Sequence, residues 1–439
     1  MPEPRIPVVV SDSTAHVTPE DAAEAGMRVG TVYGKVGVAI DADSTSVIVA
    51  KAFMAGLNSV GADVVYAGIC PTPAACLALR DCGLIATVGC PDISGRTRIT
   101  FYHTDGSLFS AVDQRILEAE PSDVPDWSGV GALTTLREAD TEYIDYIHNS
   151  GLKISGYIVM DCACGSTSRT APLALSGIGA DISSMDADLR LRKPRNPGLN
   201  KSEMLLLSNF VNASTGSIGI AYNGDGTSLS VMDENGKYVP SEGLLALMLM
   251  YLEPRVAVIP FDSPALVEDA FYKPLGLRQD GHGGDDDRHL IRAVTDEDIF
   301  QACKDNDADF AALGDGRFIF PEMSLCPDAI LASAYISELS GLRSLRNVLE
   351  ELPVYFGKTV SLPFSGIPRM FGNKFAEAIS FYQVDDFTKS GFAWKVVMKN
   401  GIYSVVLKDN EIVIKAESGD PLYLTTMTEQ AVEIVSSCM

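Results

Sequence analysis

The most constraining feature of this sequence is a glycine-rich loop between two apolar runs. Ile218–Tyr222 predicts a buried strand, and Leu229–Met232 predicts a second strand that returns beside it. The connecting segment, Asn223–Gly226, contains Gly224 and Gly226, which tolerate positive φ angles and the close approach of a ligand. A loop that presents side-chain and backbone oxygens between strands suits a hard divalent cation.

The first part of the chain alternates strand and helix patterns. Val36–Ile40 predicts a strand, Val47–Val60 a helix, and Gly61–Gly68 the next strand. This order is a βαβ unit and therefore indicates a parallel sheet.

Similar modules begin near Ile154 and Arg255, which gives three α/β modules in tandem. From about Leu352 the pattern changes to antiparallel strands, and a closing helix is predicted over Thr426–Val435. The expected fold class is α/β, with three tandem α/β domains and a C-terminal α+β domain around a central cleft.

Composition excludes several classes of partner. The formal net charge of −24 opposes binding to nucleic acid or to an anionic membrane, since both require concentrated Lys and Arg. No apolar run reaches the roughly 18 residues needed to span a bilayer. The N-terminus lacks a secretory pattern, so we expect a cytoplasmic protein whose nine cysteines are mostly buried, reduced thiols.

The pattern as a whole resembles the α-D-phosphohexomutases, which include phosphoglucomutase, phosphomannomutase and phosphoglucosamine mutase. The resemblance rests on Gly68–Pro73, on Arg98–Gly106 and on the loop and strands of Gly216–Gly236. It covers nearly the whole chain as architecture. It implies domains at residues 1–150, 151–250, 251–345 and 346–439.

The resemblance also implies a phosphoserine loop of the form Thr-Ala-Ser-His-Asn-Pro at residues 87–92, within a degenerate segment at 87–98. The serine falls on Gly89, which has no side chain to phosphorylate. Cys90 and Ser94 are the nearby nucleophiles that could replace it. Arg96 and Arg98 are candidates to hold an anion, although solvated arginines are the simpler interpretation.

The metal loop that the resemblance implies, Asp-Gly-Asp-x-Asp-Arg, falls on residues 223–228. Its three carboxylate positions are occupied by Asn223, Asp225 and Thr227, so one carboxylate of three remains. Ordinary turn chemistry and weak Mg²⁺ binding both stay open for this loop. The expected cofactor is therefore none, or weakly bound Mg²⁺.

Two further loops differ from the family pattern. The sugar loop falls on residues 313–318, where Asp315 stands in for a glutamate and Arg317 occupies the serine position. Residual sugar or polyol binding and a tight hairpin turn are both compatible with it. The phosphate loop of the last domain is replaced by a short hairpin at residues 405–414, with no room for a cradle of backbone amides.

Near the N-terminus and after the first strand, the family's arginine positions are vacant. The corresponding residues after the first strand are Asp41–Thr45, and we interpret Ser44 and Thr45 as the N-cap of the following helix.

Coordinated loss of these motifs favours a phosphohexomutase homologue without standard mutase activity, which serves as a binding or complex subunit. Its partner would be another protein or a second copy of the chain, and a sugar or polyol is a candidate ligand. The main alternative is a divergent Mg²⁺-dependent phosphohexomutase, an intramolecular phosphotransferase that uses Asp225 with Arg96 or Arg98. A different reaction on an uncharged ligand is a third hypothesis.

Overall fold

The computed structural model describes residues 17–90, 97–110, 112–189, 204–278, 287–408 and 410–439. These residues form a mixed α/β structure that divides into two compact units, and the predicted fold class is confirmed. Unit 1 comprises Met1–Ser241 and Asp315–Arg346, and unit 2 comprises Glu242–Gly314 and Asn347–Met439. The division into four domains stays a prediction. Among the described helices, none combines the length and the apolar character needed to cross a membrane.

The first sheet of unit 1 contains the βαβ unit predicted from the sequence. Its elements are α1 Pro19–Val32, β1 Lys35–Ile40, α2 Ser44–Ser59, β2 Asp63–Ile69, α3 Thr72–Ala78, β3 Leu84–Gly89, β4 Arg98–Tyr102, a 3-10 helix at Asp113–Glu118, β5 Leu133–Thr135 and α4 Thr141–His148. The strand order is β4-β3-β1-β2-β5, and β1 runs parallel to both of its neighbours. Because β1 lies between β2 and β3, the carboxyl ends of these strands meet at one edge.

The N-cap of α2 differs from the prediction. The cap is Asp43, whose side chain accepts a hydrogen bond of 2.8 Å from the Thr45 amide, while Ser44 and Thr45 lie in the first turn of the helix. The side chain of an aspartate accepts this bond as readily as that of a serine, so Ser, Thr and Asp in succession leave the position of the cap ambiguous in the sequence.

The second sheet of unit 1 contains the glycine-rich loop. Its elements are β6 Tyr157–Asp161, α5 Thr167–Gly177, β7 Asp181–Met185, α6 Leu205–Ala213, β8 Ser217–Tyr222, β9 Leu229–Met232 and β10 Tyr238–Val239, in the order β10-β9-β8-β6-β7. All six residues of β8 are buried, as its apolar run predicts. β9 pairs with it antiparallel, which confirms the predicted strand, loop and returning strand.

The third group of elements begins with a helix that is apolar on every side. It contains α7 Ser241–Leu252, β11 Val256–Pro260, α8 Ala265–Phe271, β12 His289–Ala293, α9 Asp296–Asp305, β13 Phe310–Gly314, β14 Arg317–Ile319, α10 Ala329–Leu342 and α11 Leu345–Glu350. In unit 2, β11 pairs in parallel with both β12 and β13.

The C-terminal part of unit 2 is the predicted antiparallel meander. Its elements are β15 Phe356–Pro363, α12 Pro368–Ile379, β16 Asp386–Ser390, β17 Ala393–Met398, β18 Gly401–Lys408, β19 Glu411–Ser418 and α13 Pro421–Cys438. The strand order is β15-β19-β18-β17-β16. The closing helix α13 is longer than predicted, because Asp420 caps it and Pro421 favours the first helical position. Trp394 is fully buried in the core of this sheet, where its ring packs against Phe371 and Phe375.

Candidate functional site

The candidate site lies at the carboxyl edge of the first sheet in unit 1. Asp41 directly follows β1, Cys70 directly follows β2, and Gly89 ends β3. Backbone hydrogen bonds align these ends: the Cys70 amide donates to Ile40 O at 3.1 Å, and the Asp41 amide donates to Val88 O at 3.1 Å. The position that the resemblance assigns to the phosphoserine is therefore at the end of β3, beside and parallel to the central strand β1, at the edge where ligands bind in α/β sheets.

Asp41 is the polar centre of this edge. Its side chain is 5% exposed, and its Oδ2 accepts a hydrogen bond of 2.6 Å from the Cys90 amide. Oδ1 accepts a second bond of 3.0 Å from the Asp43 amide. Burial raises the pKa of Asp41 to about 6, against the lowering effect of these hydrogen bonds. The carboxyl is therefore easier to protonate than an exposed aspartate.

The carboxylate of Asp41 occupies the space beside Gly89. A Cβ atom built on Gly89 would lie 2.8 Å from Asp41 Oδ2 and 3.1 Å from Asp41 Cγ. These distances are too short for a side chain, so a serine at position 89 would require Asp41 to move. Gly89, which departs from the family pattern, ends β3. Asp41, whose carboxylate occupies the space beside Gly89, directly follows the neighbouring strand β1.

The other residues predicted around this position are only partly described. Cys90 is buried, and Arg98 is half-buried and pairs with Gly89 across the β3–β4 ladder. Ser94 and Arg96 lie outside the described residues.

Loop 223–228, the predicted metal loop, is closed by its own side chains. Asn223 Oδ1 accepts hydrogen bonds from the amides of Thr227 at 2.9 Å and Ser228 at 3.1 Å. Asp225 Oδ1 accepts from the Thr227 amide at 3.0 Å and from its hydroxyl at 2.7 Å. Asn223 Oδ1 and Asp225 Oδ1 thus already accept two hydrogen bonds each.

Three backbone oxygens of loop 223–228 accept hydrogen bonds from the starts of helices. Gly224 O accepts from the amide and hydroxyl of Ser166, the N-cap of α5, at 2.9 and 3.0 Å. Asp225 O accepts from the Thr72 amide of α3 at 2.8 Å, and Gly226 O accepts from the Ala329 amide of α10 at 3.1 Å. Helix N-termini leave amides without intrahelical partners, and the loop supplies acceptors for three of them.

These contacts do not fit a magnesium site of the kind the resemblance implies. Mg²⁺ requires several hard oxygen ligands in near-octahedral geometry, whereas the loop retains one carboxylate, whose Oδ1 accepts two hydrogen bonds. Across the part of the chain that the structure describes, no three His, Cys, Asp or Glu side chains are grouped so as to hold a metal ion. We therefore derive no chemical step through a bound metal.

Asp41, Gly89 and Asp225 nevertheless line one cavity. The cavity is small, with a volume of about 10 Å³, which is room for roughly one water molecule, and Thr72, Thr87 and Thr100 also line it. Burial raises the pKa of Asp225, as it does that of Asp41. None of the described lining residues is basic. The arrangement opposes binding of an anion, because two carboxylates would repel a phosphate.

The residues predicted for the sugar loop form a tight connection between β13 and β14. Asp315 is exposed and has a φ of 50°, while Gly316 has a φ of 72°. Within unit 1, Gly316 O accepts a hydrogen bond of 3.1 Å from the Leu229 amide. A Cβ on Gly316 would lie 2.0 Å from Leu229 O, so only glycine fits there. Asp315 and half-buried Arg317 therefore lie beside the start of β9, and sugar binding by them stays a prediction.

The short hairpin predicted in place of the phosphate loop joins β18 to β19. The register Lys408↔Glu411 leaves two residues between the strands, of which residue 409 lies outside the described chain. In unit 2, Lys415 and Lys408 both pair with Asp262, at 2.7 and 3.8 Å. The carboxylate of Asp262 thus offsets the positive charge that a phosphate would need.

Sequence reasoning missed Asp41 as the organising residue of this edge. It noted the residue only as part of a segment where arginines are vacant. The available signal was position: an aspartate that directly follows an apolar strand of a parallel sheet lies at the ligand-binding edge.

Comparison with known proteins agrees with this architecture. Residues 9–113 match the family model for phosphoglucomutase/phosphomannomutase, alpha/beta/alpha domain I. A probable phosphoglucosamine mutase of Methanococcoides burtonii is 28% identical over 348 residues, which cover 77% of each chain. One from Pyrococcus horikoshii is 26% identical over 382 residues, which cover 83% of this chain and 81% of the relative.

Solved structures show the same fold at lower identity. A phosphoglucomutase/phosphomannomutase family protein from Burkholderia thailandensis superposes with a TM-score of 0.77 at 17% identity, over 96% of this chain and 94% of that one. Parafusin, a phosphoglucomutase from Paramecium, gives a TM-score of 0.69 at 10% identity over 95% and 92% of the two chains. With the βαβ sheet, the strand-flanked loop 223–228 and the C-terminal meander, these matches lead to one conclusion: the chain is similar in sequence and in fold to the α-D-phosphohexomutases.

Proposed function

We propose that this protein is a phosphohexomutase relative that does not transfer phosphate through a serine and that acts as a binding or complex subunit. The observation that carries the proposal is the contact between Gly89 and Asp41. Position 89 lacks a hydroxyl group, and the Asp41 carboxylate would lie 2.8 Å from any Cβ placed there. The carboxyl group of Asp41 thus lies where a phosphoryl group attached to residue 89 would have to lie.

Electrostatics support the same proposal. Phosphoryl transfer depends on positioned positive charge around the transferring group. Asp41 and Asp225 instead place two carboxyl groups at the cavity, and its described lining contains no Lys or Arg. A phosphate there would raise the energy of both ionised acids, and loop 223–228 offers too few ligand oxygens for Mg²⁺ to offset that cost.

A second candidate function is a divergent Mg²⁺-dependent phosphohexomutase. It is favoured by the meeting of Asp225 and Gly89 in one cavity, and by the positive charge of Arg98, which lowers the pKa of Asp225 against the larger effect of burial. The mutase relatives named above make it the natural competitor. It would require Asp225 to exchange its bonds to Thr227 for a metal ion.

A phosphoenzyme and mutase assay separates the two functions. Purified protein is incubated with glucose 1,6-bisphosphate and Mg²⁺, its intact mass is measured, and turnover is followed with glucose 1-phosphate, mannose 1-phosphate and glucosamine 1-phosphate. We expect neither an added phosphate mass nor turnover. The Methanococcoides burtonii relative, assayed alongside, tests whether the substrates and conditions support the mutase reaction.

The variant Gly89→Ser tests whether the missing serine is the only deficit. We expect no turnover, because the aspartates remain and loop 223–228 is unchanged. Gly34→Ser is the matched control, since a Cβ at Gly34 meets nothing within 4 Å. A phosphorylated wild-type protein, turnover by wild type above a blank without protein, or turnover by Gly89→Ser above that of Gly34→Ser would refute the proposal.

A further inference from the structure

Residues 117–135 of unit 1, called here the 117–135 segment, have a backbone that is anchored to the rest of the unit. At its start, Arg28 Nη1 donates to Leu117 O at 3.0 Å and to Ala119 O at 3.1 Å. The amide of Ser122 donates to Thr31 Oγ1 at 2.9 Å. Helix α1 therefore fixes the first third of the segment through its own polar side chains.

The end of the segment is fixed equally firmly. The Gly131 amide donates to Asn58 O at 2.9 Å, and the Ala132 amide donates to Asp63 Oδ1 at 2.8 Å. Strand β5 then pairs in parallel with β2, with Leu133 opposite Val64. The segment is thus an ordered part of the surface at both ends.

Four apolar side chains of this anchored segment face solvent. Trp127 is 89% exposed, Val124 61%, Leu133 55% and Val130 49%, and the four residues follow one another at intervals of three. We call these four residues the Trp127 surface. A tryptophan side chain buries about 150–250 Å² when it is covered, so its exposure leaves a large apolar area available to a partner.

Strand β5 adds a second feature that suits a partner. It is one of the two edge strands of its sheet among the described strands, and all three of its residues are exposed. The outer edge of such a strand presents backbone donors and acceptors that an extended peptide can pair with.

Charge decides which occupant fits. The 117–135 segment contains Glu118, Glu120, Asp123 and Asp126, all exposed, and no Lys or Arg. A second copy of the chain would bring the same acidic segment and a further formal charge of −24, so like charges would oppose self-association there. A basic segment would meet opposite charge around an apolar centre.

We propose that the Trp127 surface and the outer edge of β5 dock an extended, basic segment of a partner protein, with apolar side chains between its Lys or Arg residues. This inference rests on the proposed role as a binding subunit and specifies the chemistry of its partner. The tryptophan supplies the central contact, the strand edge supplies backbone hydrogen bonds, and the carboxylates attract the basic side chains.

A peptide titration tests the proposal on the full-length protein. The probe is an eight-residue peptide that alternates lysine and valine, and the reference peptides are octalysine and an alternating glutamate and valine peptide. The chain has two tryptophans, of which Trp394 is fully buried, so acrylamide quenching reports mainly on Trp127. We expect the lysine–valine peptide to reduce quenching at least twofold, and the glutamate–valine peptide to leave it unchanged.

Labelled peptide anisotropy then compares variants. Trp127→Ser should weaken binding of the lysine–valine peptide at least tenfold, as expected for a central tryptophan. Phe381→Ser, which removes an aromatic ring that is 81% exposed in unit 2, should leave binding unchanged. Absence of binding by wild type, equal binding of octalysine, equal affinities of the two variants, or self-association that Trp127→Ser abolishes would each overturn the proposal.

The titration contains no sugar phosphate, so its outcome is separate from the mutase assay. Mutase turnover together with specific peptide binding would refute the proposed function and leave the docking surface standing. Absence of both would refute the docking surface alone.

Discussion

At the scale of single residues, the buried carboxyl of Asp41 determines a pH response of unit 1. Its pKa is raised to about 6, chiefly by burial, whereas an aspartate in the unfolded chain ionises near pH 3.9. The folded state therefore binds this proton more tightly than the unfolded state. The contribution of Asp41 to stability is greatest at low pH and is lost as the pH rises through 6.

We predict that the free energy of unfolding of wild type, relative to Asp41→Asn, falls by about 1 kcal/mol between pH 5 and pH 7.5. Asparagine cannot ionise, so its contribution stays constant over this range. Urea unfolding of both proteins at several pH values provides the measurement. Asp328, whose pKa is also raised to about 6 by burial, titrates in both proteins and cancels in the difference. A difference that is flat or rises with pH would contradict the assignment.

Residue identities alone predicted the absence of a serine but not what fills its place. The sequence locates Gly89 at the end of a strand, and the structure agrees. The contact with Asp41 depends on the register of β1 against β3, in which Ile40 lies opposite Val88. Register between strands separated by two helices and another strand is a tertiary property that a linear pattern does not contain.

At the scale of secondary-structure elements, the strands and helices followed from apolar periodicity, while the role of loop 223–228 did not. The buried strands β8 and β9 and the loop between them were predicted with nearly correct bounds. That the loop's carbonyl oxygens serve as acceptors for the starts of α3, α5 and α10 could not be predicted, because those helices are distant in sequence. Glycine-rich loops that bind cations and glycine-rich loops whose carbonyl oxygens accept hydrogen bonds from helix N-termini have the same composition.

The packing of α12 on the C-terminal sheet leads to a prediction for one element. Phe375 is fully buried, and its ring centroid lies 5.6 Å from that of Trp394 and 5.8 Å from that of Phe371. Phe375→Ala should lower the free energy of unfolding by about 3–5 kcal/mol, because it removes an aromatic ring and leaves a cavity. Phe381→Ala, at a ring that is 81% exposed, should change it by no more than about 0.5 kcal/mol.

Urea unfolding followed by the fluorescence of Trp394 measures both variants, since Trp394 reports directly on this core. Similar losses in Phe375→Ala and Phe381→Ala would mean that α12 does not pack through the face that carries Phe375.

At the scale of the whole molecule, charge is the property least suited to a phosphorylated substrate. The chain has 58 Asp and Glu residues against 34 Lys and Arg, and self-repulsion of this excess opposes the compact state. Local ion pairs act in the other direction: Glu268 pairs with Arg292 at 2.9 Å and with Lys395 at 3.0 Å in unit 2. The basic side chains of these pairs are only 14% exposed, so salt screens them weakly.

We therefore predict that sodium chloride stabilises the protein. An increase from about 20 to 300 mM shortens the Debye length from roughly 20 Å to below 8 Å. At the shorter length the repulsion between distant carboxylates is screened, whereas the close ion pairs are screened much less. The melting temperature should rise by about 2 °C or more, measured by scanning calorimetry at pH 7.5, where the carboxylates are ionised. Equimolar sucrose serves as the control for effects of added solute that do not depend on charge. A melting temperature that falls with salt would show that ion pairs such as those of Glu268 stabilise the protein more than repulsion among the excess carboxylates destabilises it. The acidic excess would then not lower the stability of the fold.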